Sequence, residues 1–255
     1  MSRKIVLFER QDSVAVITLN NPSSGNAITS RLVSTLEDIR TALSDDSDIR
    51  VVVLTGRDTF CRGTDVKTLR TFNDKEALIG GLSASTLIAG IDRPTIAAID
   101  GDALGQGLEL ALCCDLRICS DRARFAMDQI CRGDIPWDGG TQRLARTLGR
   151  GKALEMIFTG AVLDAGEALQ TGLVSRVVPP EELMPQALAM ARDLAGKSPL
   201  AMRYAREAIY KGVELTLEQG LRLEADLYFL LHTTEDRTEG VTAFREKRSP
   251  RFTGR

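Results

Sequence analysis

The sequence predicts an α/β protein, and three observations support this fold class. Short apolar runs such as 51–54 and Thr95–Ile99 do not alternate with polar residues, which is typical of strands buried on both faces of a sheet. The stretch between the apolar runs 14–19 and 51–54 has apolar residues at helical spacing. From about residue 164 the patterns become almost entirely helical. Strands alternating with helices, and then helices alone, indicate an α/β core with a helical appendage.

The first half of the chain alternates strands with helices. Val14–Leu19 is predicted as a strand that ends at the Asn-Asn-Pro turn of residues 20–22. A helix follows, because four apolar residues recur at helical spacing before the turn at 45–47, namely Leu32, Leu36, Ile39 and Leu43. Three further apolar runs complete the predicted sheet: 51–54, Thr95–Ile99 and Leu116–Ser120.

Helices dominate from Asp164 onwards. Asp164 and Glu167 have the spacing of a capping box, and Gly172 fits the C′ position that ends a helix. Another helix is predicted to open at the prolines 179–180 and to run to about residue 194. The remaining predicted helices are 200–211, 216–231 and 235–247. The helix at 216–231 has a broad apolar stripe, which indicates that it covers the core or packs on another subunit.

Composition and charge exclude several classes of function. The chain has 255 residues, of which 43% are hydrophobic and 27% charged, and it can bury a sizeable core. A net charge of -2 gives no basic field for nucleic acid or an anionic membrane. The apolar runs are too short to span a bilayer, and residues 1–20 lack a secretory signal pattern. We therefore expect a cytoplasmic protein without a nucleic-acid or membrane partner.

The cysteines and the single histidine argue against a metal site. The chain has five cysteines, which is an odd number, and no two of them have C-x-x-C spacing. We therefore expect reduced and mostly buried thiols. His232 is far along the chain from the nearest cysteine, Cys131, which leaves no metal-ligand pattern. Any Ser-His or Cys-His mechanism would have to use His232.

Two glycine-containing turns follow apolar strands, at 60–67 and 101–110. The second leads into an apolar helix near Gly105, so its backbone N–H groups point out of a helix N-terminus. Such a position stabilises developing negative charge. The turn is not a dinucleotide fingerprint, because Leu110 stands where the third glycine would be, and no Walker A pattern occurs.

The chain resembles the enoyl-CoA hydratase/isomerase (crotonase) family. The resemblance is carried by these two turns and by other segments, which match in order along nearly the whole chain. The matching segments are 17–20, 53–56, 60–67, 93–98, 101–115, 135–136, 139–144, 159–160, 171–175, 239–240 and 244–248. The resemblance implies an α/β, crotonase-like spiral of β-β-α turns with a C-terminal helical trimerisation region. Residues 1–195 would form the spiral core with an acyl-CoA site, and residues 196–255 the helical oligomerisation region. The expected assembly is a homotrimer or a dimer of trimers.

The resemblance also implies a pair of backbone N–H groups, those of Thr64 and Gln106, that bind the oxygen of a thioester enolate. Drawing charge onto that oxygen lowers the barrier for chemistry at the α and β carbons, and each good donor in a dry site supplies about 2.7–4 kcal/mol. Most relatives have small residues at these two positions. The Thr64 and Gln106 side chains are therefore expected to reshape the pocket.

Hydratases of the family carry two glutamates, and the first falls on Glu109. Its apolar neighbours predict burial and a raised pKa, which suits acid/base chemistry near neutrality. The second falls on Gln129, whose amide can orient water or substrate but cannot exchange a proton. Asp138, in a loop where ordinary hydratases have small apolar residues, is the best substitute as second proton-transfer group. The alternative is a turn aspartate that precedes two glycines.

For the nucleotide end of coenzyme A, the resemblance implicates two short stretches near the start of the chain and one near its end. The first two are the chain around Ser23 and Ser24 and the chain around Arg62 and Gly63, with Asp65 and Lys67 following. Near the C-terminus, Lys247 and Arg248 are candidates to reach phosphates, from this subunit or a neighbour. The alternative for this last pair is a basic, solvated helix.

The function implied by the resemblance is a lyase that adds water to, or removes it from, an α,β-unsaturated acyl-CoA. No metal or redox cofactor is needed, since coenzyme A is part of the substrate. Trp137 and the altered acids indicate an unusual acyl group, ring-bearing or conjugated dienoyl. Alternatives are a double-bond isomerase, which needs one base, and an acyl-CoA hydrolase. A non-catalytic, RNA-binding role would rest on the basic residues between 245 and 255, and the net charge argues against it.

Overall fold

The computed structural model describes residues 4–255, in which strands and helices alternate up to residue 178 and helices follow. The strands are β1 (Val6–Gln11), β2 (Val14–Leu19), β3 (Val51–Gly56), β4 (Thr95–Ile99), β5 (Asp102–Leu104), β6 (Leu116–Ser120), β7 (Arg124–Ala126), β8 (Leu163–Asp164) and β9 (Arg176–Val178). The helices of the first part are α1 (Ser30–Asp45), α2 (Val66–Leu69), α3 (Lys75–Leu82), α4 (Ala84–Ala89), α5 (Gln106–Leu112), α6 (Gly140–Thr159) and α7 (Ala165–Gln170). The last helices are α8 (Pro180–Ala195), α9 (Pro199–Gly212), α10 (Leu217–His232) and α11 (Glu235–Glu246).

Six strands form the main sheet in the order β1-β2-β3-β4-β6-β9. β1 pairs with β2 in antiparallel fashion, and the other neighbours are parallel. A second, three-stranded sheet has the order β5-β7-β8. β3 and β4 are each followed by a segment that leaves the main sheet, and these two segments meet beside the second sheet, where Cys61 pairs with Ala103.

Both faces of the main sheet are buried, as the uninterrupted apolar runs predict. On β3, Val51 and Val53 pack into one cluster with α8, whereas Val52 and Leu54 pack into a larger cluster that includes α1. This alternation follows from the two-residue repeat of a strand. α8 thus covers one face, while α1 and the site-bearing segments cover the other.

The helical part of the chain begins with the caps that the sequence predicts. Asp164 and Glu167 form a reciprocal capping box at the start of α7, and Gly172 follows the helix with a φ of 78°. A second capping box, between Thr216 and Gln219, opens α10. Pro199 is the first residue of α9, where its missing N–H costs nothing.

Several large apolar side chains of α9 to α11 are exposed in the isolated chain. They are Ile209, Tyr210, Leu217, Leu221, Tyr228, Phe229, Leu230 and Phe244. An exposed apolar surface of this extent is typical of a protein–protein interface. Among residues 4–255, none of the helices has both the length and the apolar character that crossing a membrane requires.

Candidate active site

The two glycine-containing turns lie side by side in the structure. The Cys61 N–H donates to the Asp102 carbonyl oxygen over 2.8 Å, and the Leu104 N–H donates to the Cys61 carbonyl oxygen over 3.0 Å. Gly107 lies against the same segment, and a Cβ at this position would lie 2.0 Å from the Cys61 carbonyl oxygen. No real Cβ is accommodated at that distance, so this close approach of two backbones requires glycine.

The backbone N–H groups of Thr64 and Gln106 are found at this junction. A Cβ on Gly63 would lie 3.1 Å from the Gln106 nitrogen, so the chain just before Thr64 contacts the start of α5. Gly105 is the N-cap residue of α5 and has a φ of 53° and a ψ of -124°, a conformation that glycine adopts far more readily than other residues. Within residues 4–255, neither the Thr64 nor the Gln106 N–H donates to another residue. Both are therefore available to a ligand oxygen.

Glu109 is completely buried in the first turn of α5. Its Oε1 accepts hydrogen bonds from the backbone N–H groups of Asp138 (2.9 Å) and Gly140 (2.7 Å). Its Oε2 accepts a longer one, of 3.3 Å, from Nε2 of Gln129. Gly140 is the first residue of α6, so the carboxyl group lies at a helix N-terminus, where a negative charge is stabilised. The burial expected from the apolar neighbours of Glu109 is confirmed.

The surroundings raise the pKa of Glu109 from 4.5 to about 7. Burial is the main cause, because the charged form loses its hydration. The negative charge of Asp138 acts in the same direction, while the two backbone N–H groups and the charge of Arg143 lower the pKa. A carboxyl group with a pKa near neutrality can both accept and return a proton at physiological pH.

Gln129 lies beside Glu109, in a short 3₁₀ helix that spans Asp128–Arg132. Its Nε2 donates to Glu109, but its buried Oε1 accepts no hydrogen bond from the part of the chain described. An unpaired buried acceptor costs about 1–3 kcal/mol. The site therefore favours a water or ligand group that donates a hydrogen bond to the Gln129 oxygen.

Asp138 is also buried, and its carboxylate contacts the segment before α4. Its Oδ1 accepts from Oγ of Ser83 (2.6 Å), and its Oδ2 accepts from the Ser85 N–H (3.1 Å) and from Nε2 of Gln106 (2.9 Å). The side chain is thus enclosed by three donors and is not a solvated turn residue. Its role as a second proton-transfer group stays a prediction.

Sequence reasoning missed the partners that hold these side chains. Gly140 donates to Glu109, and Ser83 and Ser85 donate to Asp138. The start of α6 at the second of two adjacent glycines is a signal for the first contact, because helix N-termini leave N–H groups free. Nothing in the sequence pattern indicates that residues 83–85 pack against a loop more than fifty residues away.

The structure brings some of the predicted coenzyme A residues together and leaves others apart. The exposed Ser23 and Ser24 precede Gly25, whose carbonyl oxygen accepts from the Arg62 N–H over 2.9 Å. Arg62 also forms an ion pair with the buried Asp102 over 2.7 Å. Asp65 and Lys67 are exposed just after Thr64.

The C-terminal pair of predicted coenzyme A residues is in a different environment. Lys247 is exposed and caps the end of α11. Arg248 makes a bidentate ion pair with Glu239 and a further ion pair with Glu246. Across residues 4–255, no hydrogen bond or ion pair connects these two residues with the Ser23–Arg62 group. Their role in binding phosphates stays a prediction.

A cavity of about 380 Å³ lies next to the loop that carries Asp138. Its apolar wall consists of Leu69, Phe72, Leu78 and Trp137. Asn73, Asp74, Lys75 and Asp134 form its polar part. Because Trp137 directly precedes Asp138, whose N–H binds Glu109, the aromatic wall is connected through one residue to the candidate acid/base group.

The chain is similar to known proteins over nearly its whole length. The family model described as enoyl-CoA hydratase/isomerase matches residues 9–255. A probable enoyl-CoA hydratase of Mycobacterium bovis is 40% identical over 257 residues, with 100% of both chains covered. A crotonyl-CoA hydratase of Syntrophomonas wolfei is 36% identical, with 99% of both chains covered.

Among solved structures, an enoyl-CoA hydratase from Bacillus anthracis superposes with a TM-score of 0.93 at 37% sequence identity, covering 99% of this chain and 100% of the other. The superposition extends over both the strand-rich part and the C-terminal helices. It confirms the predicted fold class, a spiral α/β core followed by a helical region.

Proposed function

Because the chain belongs to the enoyl-CoA hydratase/isomerase family, we propose that it adds water to, or removes it from, an α,β-unsaturated acyl-CoA thioester. The observation that carries the proposal is the buried carboxyl group of Glu109, whose pKa is near 7. This group lies in the first turn of α5, and the N–H of Gln106, the first residue of that helix, is without a partner among residues 4–255, as is the N–H of Thr64. Two such donors and one acid/base group are the parts that enolate chemistry requires.

In the hydration direction, the thioester oxygen accepts hydrogen bonds from the N–H groups of Thr64 and Gln106. Glu109 takes a proton from a water molecule whose oxygen bonds to the β carbon, and the electron pair of the double bond moves onto the thioester oxygen. The enolate then collapses as the α carbon takes a proton. Glu109, protonated in the first step, can return that proton through water held by the Gln129 oxygen. One molecule of water is added, and no cofactor enters the balance.

The pH dependence of hydration should report the ionisation of Glu109. We expect kcat/KM to fall below about pH 7, approaching tenfold per pH unit, because only the ionised carboxylate can take a proton from water. The pKa of Glu109 of about 7 sets the position of this decline. Initial rates between pH 5 and pH 9 with crotonyl-CoA would measure it. A rate that stays constant from pH 5 to pH 8 would contradict the assignment of Glu109 as the base.

The reaction itself is tested by incubating the protein with unsaturated CoA esters and following three signals. Hydration removes the absorbance of the enoyl thioester, isomerisation shifts it, and hydrolysis releases a free thiol. We expect the first signal. Glu109→Gln serves as the control for a contaminating activity, because the loss of the signal in this variant attributes the reaction to the site.

Double-bond isomerisation is the second candidate, and two points favour it. By resemblance, Gln129 takes the place of the second glutamate of hydratases, and the Asp138 carboxylate already accepts three hydrogen bonds. A single base that moves a proton between two carbons is sufficient for isomerisation. A shifted absorbance without uptake of water would replace hydration as the proposed reaction.

For the acyl group, we propose a compact ring-bearing or conjugated dienoyl chain. The support is the cavity lined by Phe72 and Trp137, whose aromatic walls suit a flat apolar group. Activity across linear, branched and alicyclic enoyl-CoA esters of equal carbon number tests this. The highest kcat/KM should belong to a cyclic or dienoyl ester, and a preference for the linear ester would reject it.

The assembly proposed from the resemblance is a homotrimer or a dimer of trimers, and the exposed apolar residues of α10 support it. Phe229 is 70% exposed in the isolated chain. Replacing Phe229 with glutamate is expected to shift the mass measured by light scattering towards that of the monomer, because a buried charge at an interface is costly. Arg222→Gln, at an exposed charged position of the same helix, is the control. A monomeric wild-type protein would contradict the proposal.

A further inference from the structure

The side chains of Thr64, Gln106 and Asp138 form one continuous chain of hydrogen bonds. The Thr64 hydroxyl donates to Oε1 of Gln106, and Nε2 of Gln106 donates to Oδ2 of Asp138 over 2.9 Å. Oδ1 of Asp138 in turn accepts from Ser83. These residues come from four separate segments of the chain, and the side-chain hydrogen bonds add to the backbone hydrogen bonds that already join Cys61 to residues 102–104.

The Gln106 side chain has no remaining freedom in this arrangement. Its amide group has two N–H donors, and both are used, one for Asp138 and the other for the Leu82 carbonyl oxygen at 2.6 Å. Its oxygen accepts from Thr64. An amide bonded on every side has a fixed position, and it fixes the backbone to which it is attached.

The backbone N–H groups of Gln106 and Thr64 both lack a partner among residues 4–255. The hydrogen bond between their side chains, together with the backbone hydrogen bonds between Cys61 and residues 102–104, restrains the spacing of these two N–H groups. Asp138 is the anchor of the arrangement, because its carboxylate orients the Gln106 amide and is itself held by Ser83 and Ser85.

We propose that Asp138 is a positioning residue that acts through Gln106, holding the Thr64 and Gln106 N–H groups at the separation that binds a thioester oxygen. This inference rests on the proposed function, since the oxygen is that of an acyl-CoA. It assigns Asp138 a task other than proton transfer. It also explains why the polar side chains of Thr64, Gln106 and Asp138 occur together.

The conservative variant Asp138→Asn separates positioning from proton transfer. The asparagine oxygen can accept from both the Ser85 N–H and Gln106, and its amide can donate to Ser83, whose hydroxyl then donates to Thr86 over 2.7 Å. All three contacts survive without the ionisable group. We therefore expect Asp138→Asn to keep at least about a third of the wild-type kcat, whereas a lost proton-transfer group would cost about 10²-fold or more.

Two disruptive variants complete the test. Asp138→Ala removes the anchor, and Gln106→Leu removes the amide but keeps the backbone N–H. Each is expected to lower kcat by about 10- to 100-fold, with KM changed less than about threefold, because a displaced donor loses part of the 10²–10³-fold effect of an oxyanion donor. The double variant should be no worse than the single ones, since both break the same chain. Additive losses, or an inactive Asp138→Asn, would overturn the proposal.

A binding measurement keeps this outcome distinct from failure of the proposed function. Acetoacetyl-CoA forms an enolate that absorbs in the near ultraviolet and resembles the charge distribution at the thioester oxygen. Wild-type protein that neither binds it nor turns over any enoyl-CoA would refute the proposed function. If the wild type binds it, we expect Asp138→Ala to bind about 10- to 100-fold more weakly and Asp138→Asn to bind like the wild type. Equal binding by the alanine variant would refute the positioning role alone.

Discussion

Replacing Glu109 with glutamine is expected to lower kcat by about 10²- to 10⁴-fold, the range typical of general acid–base catalysis. Glutamine has the same shape, and its oxygen can still accept the N–H groups of Asp138 and Gly140. Its amide nitrogen would face Gln129, whose amide can turn so that its unpartnered oxygen accepts the new donor. The loss would therefore reflect proton transfer and not a disturbed fold. Steady-state kinetics with an enoyl-CoA substrate measure the effect.

The same variant is expected to be at least as stable as the wild type at pH 8. The pKa of Glu109 is raised in the folded state from 4.5 to about 7, so the folded protein binds the proton more tightly than the unfolded chain. The contribution of Glu109 to stability is therefore largest below about pH 4.5, declines as the pH rises to about 7, and stays low above it. Keeping Glu109 ionised in the folded state lowers the free energy of unfolding by about 3 kcal/mol at pH 8.

Urea unfolding of wild type and Glu109→Gln at pH 8 measures this difference. Glu37→Gln is the matched control, because Glu37 is exposed on α1 and both kcat and the unfolding midpoint should be unchanged there. If Glu109→Gln unfolds well below the wild type, its low kcat cannot be attributed to chemistry. If it keeps near-normal kcat, Glu109 is not the acid/base group.

Replacing Gly107 with alanine is expected to destabilise the protein by about 3–5 kcal/mol, within the range of the most damaging single substitutions. The added Cβ would lie 2.0 Å from the carbonyl oxygen and 2.7 Å from the carbonyl carbon of Cys61. Both atoms belong to the backbone, so the 59–64 segment must move away from β5 and α5. Since that segment carries Thr64, kcat should fall by about 10²-fold or more in whatever protein still folds.

Gly151→Ala is the control for this substitution. Gly151 lies on the exposed side of α6, and an added Cβ would meet no atom within 4 Å. Alanine in a helix is favoured over glycine by about 0.4–1 kcal/mol, so this variant should be slightly more stable and fully active. Gly107→Ala with the same urea midpoint as the wild type would mean that the two turns are not packed as described.

The parts of the fold that sequence predicts best are those fixed by local pattern. β2, β4 and β6 have the predicted bounds, because their uninterrupted apolar runs are long enough to identify a buried strand. β1 was missed because its second half, Glu9 to Gln11, is polar and its residues 8–10 are exposed, as an edge strand permits. β5, β7 and β8 have two or three residues each, and such short strands exist only because other segments lie beside them.

For the candidate site, the sequence predicts the burial of a residue better than it predicts what that residue contacts. The burial of Glu109 follows from its apolar neighbours on α5, a local signal. The contacts of Asp138 with Ser83, Ser85 and Gln106 depend on how three distant segments pack, which no spacing in the chain encodes. A role for the free N–H groups of Thr64 and Gln106 could be predicted only from the family resemblance, because every residue except proline has a backbone N–H and the residue type does not reveal its function.

Asp138 also joins the two halves of the reaction within one residue. Its backbone N–H binds Glu109, the proposed acid/base group, and its carboxylate binds Gln106, which carries one of the two N–H groups proposed to bind the enolate. A displacement of the loop at 135–140 therefore cannot alter proton transfer without also altering charge stabilisation. Mutations that change the length or flexibility of this loop should consequently change both steps in concert, so that a new substrate preference gained there would come with a retuned pH optimum.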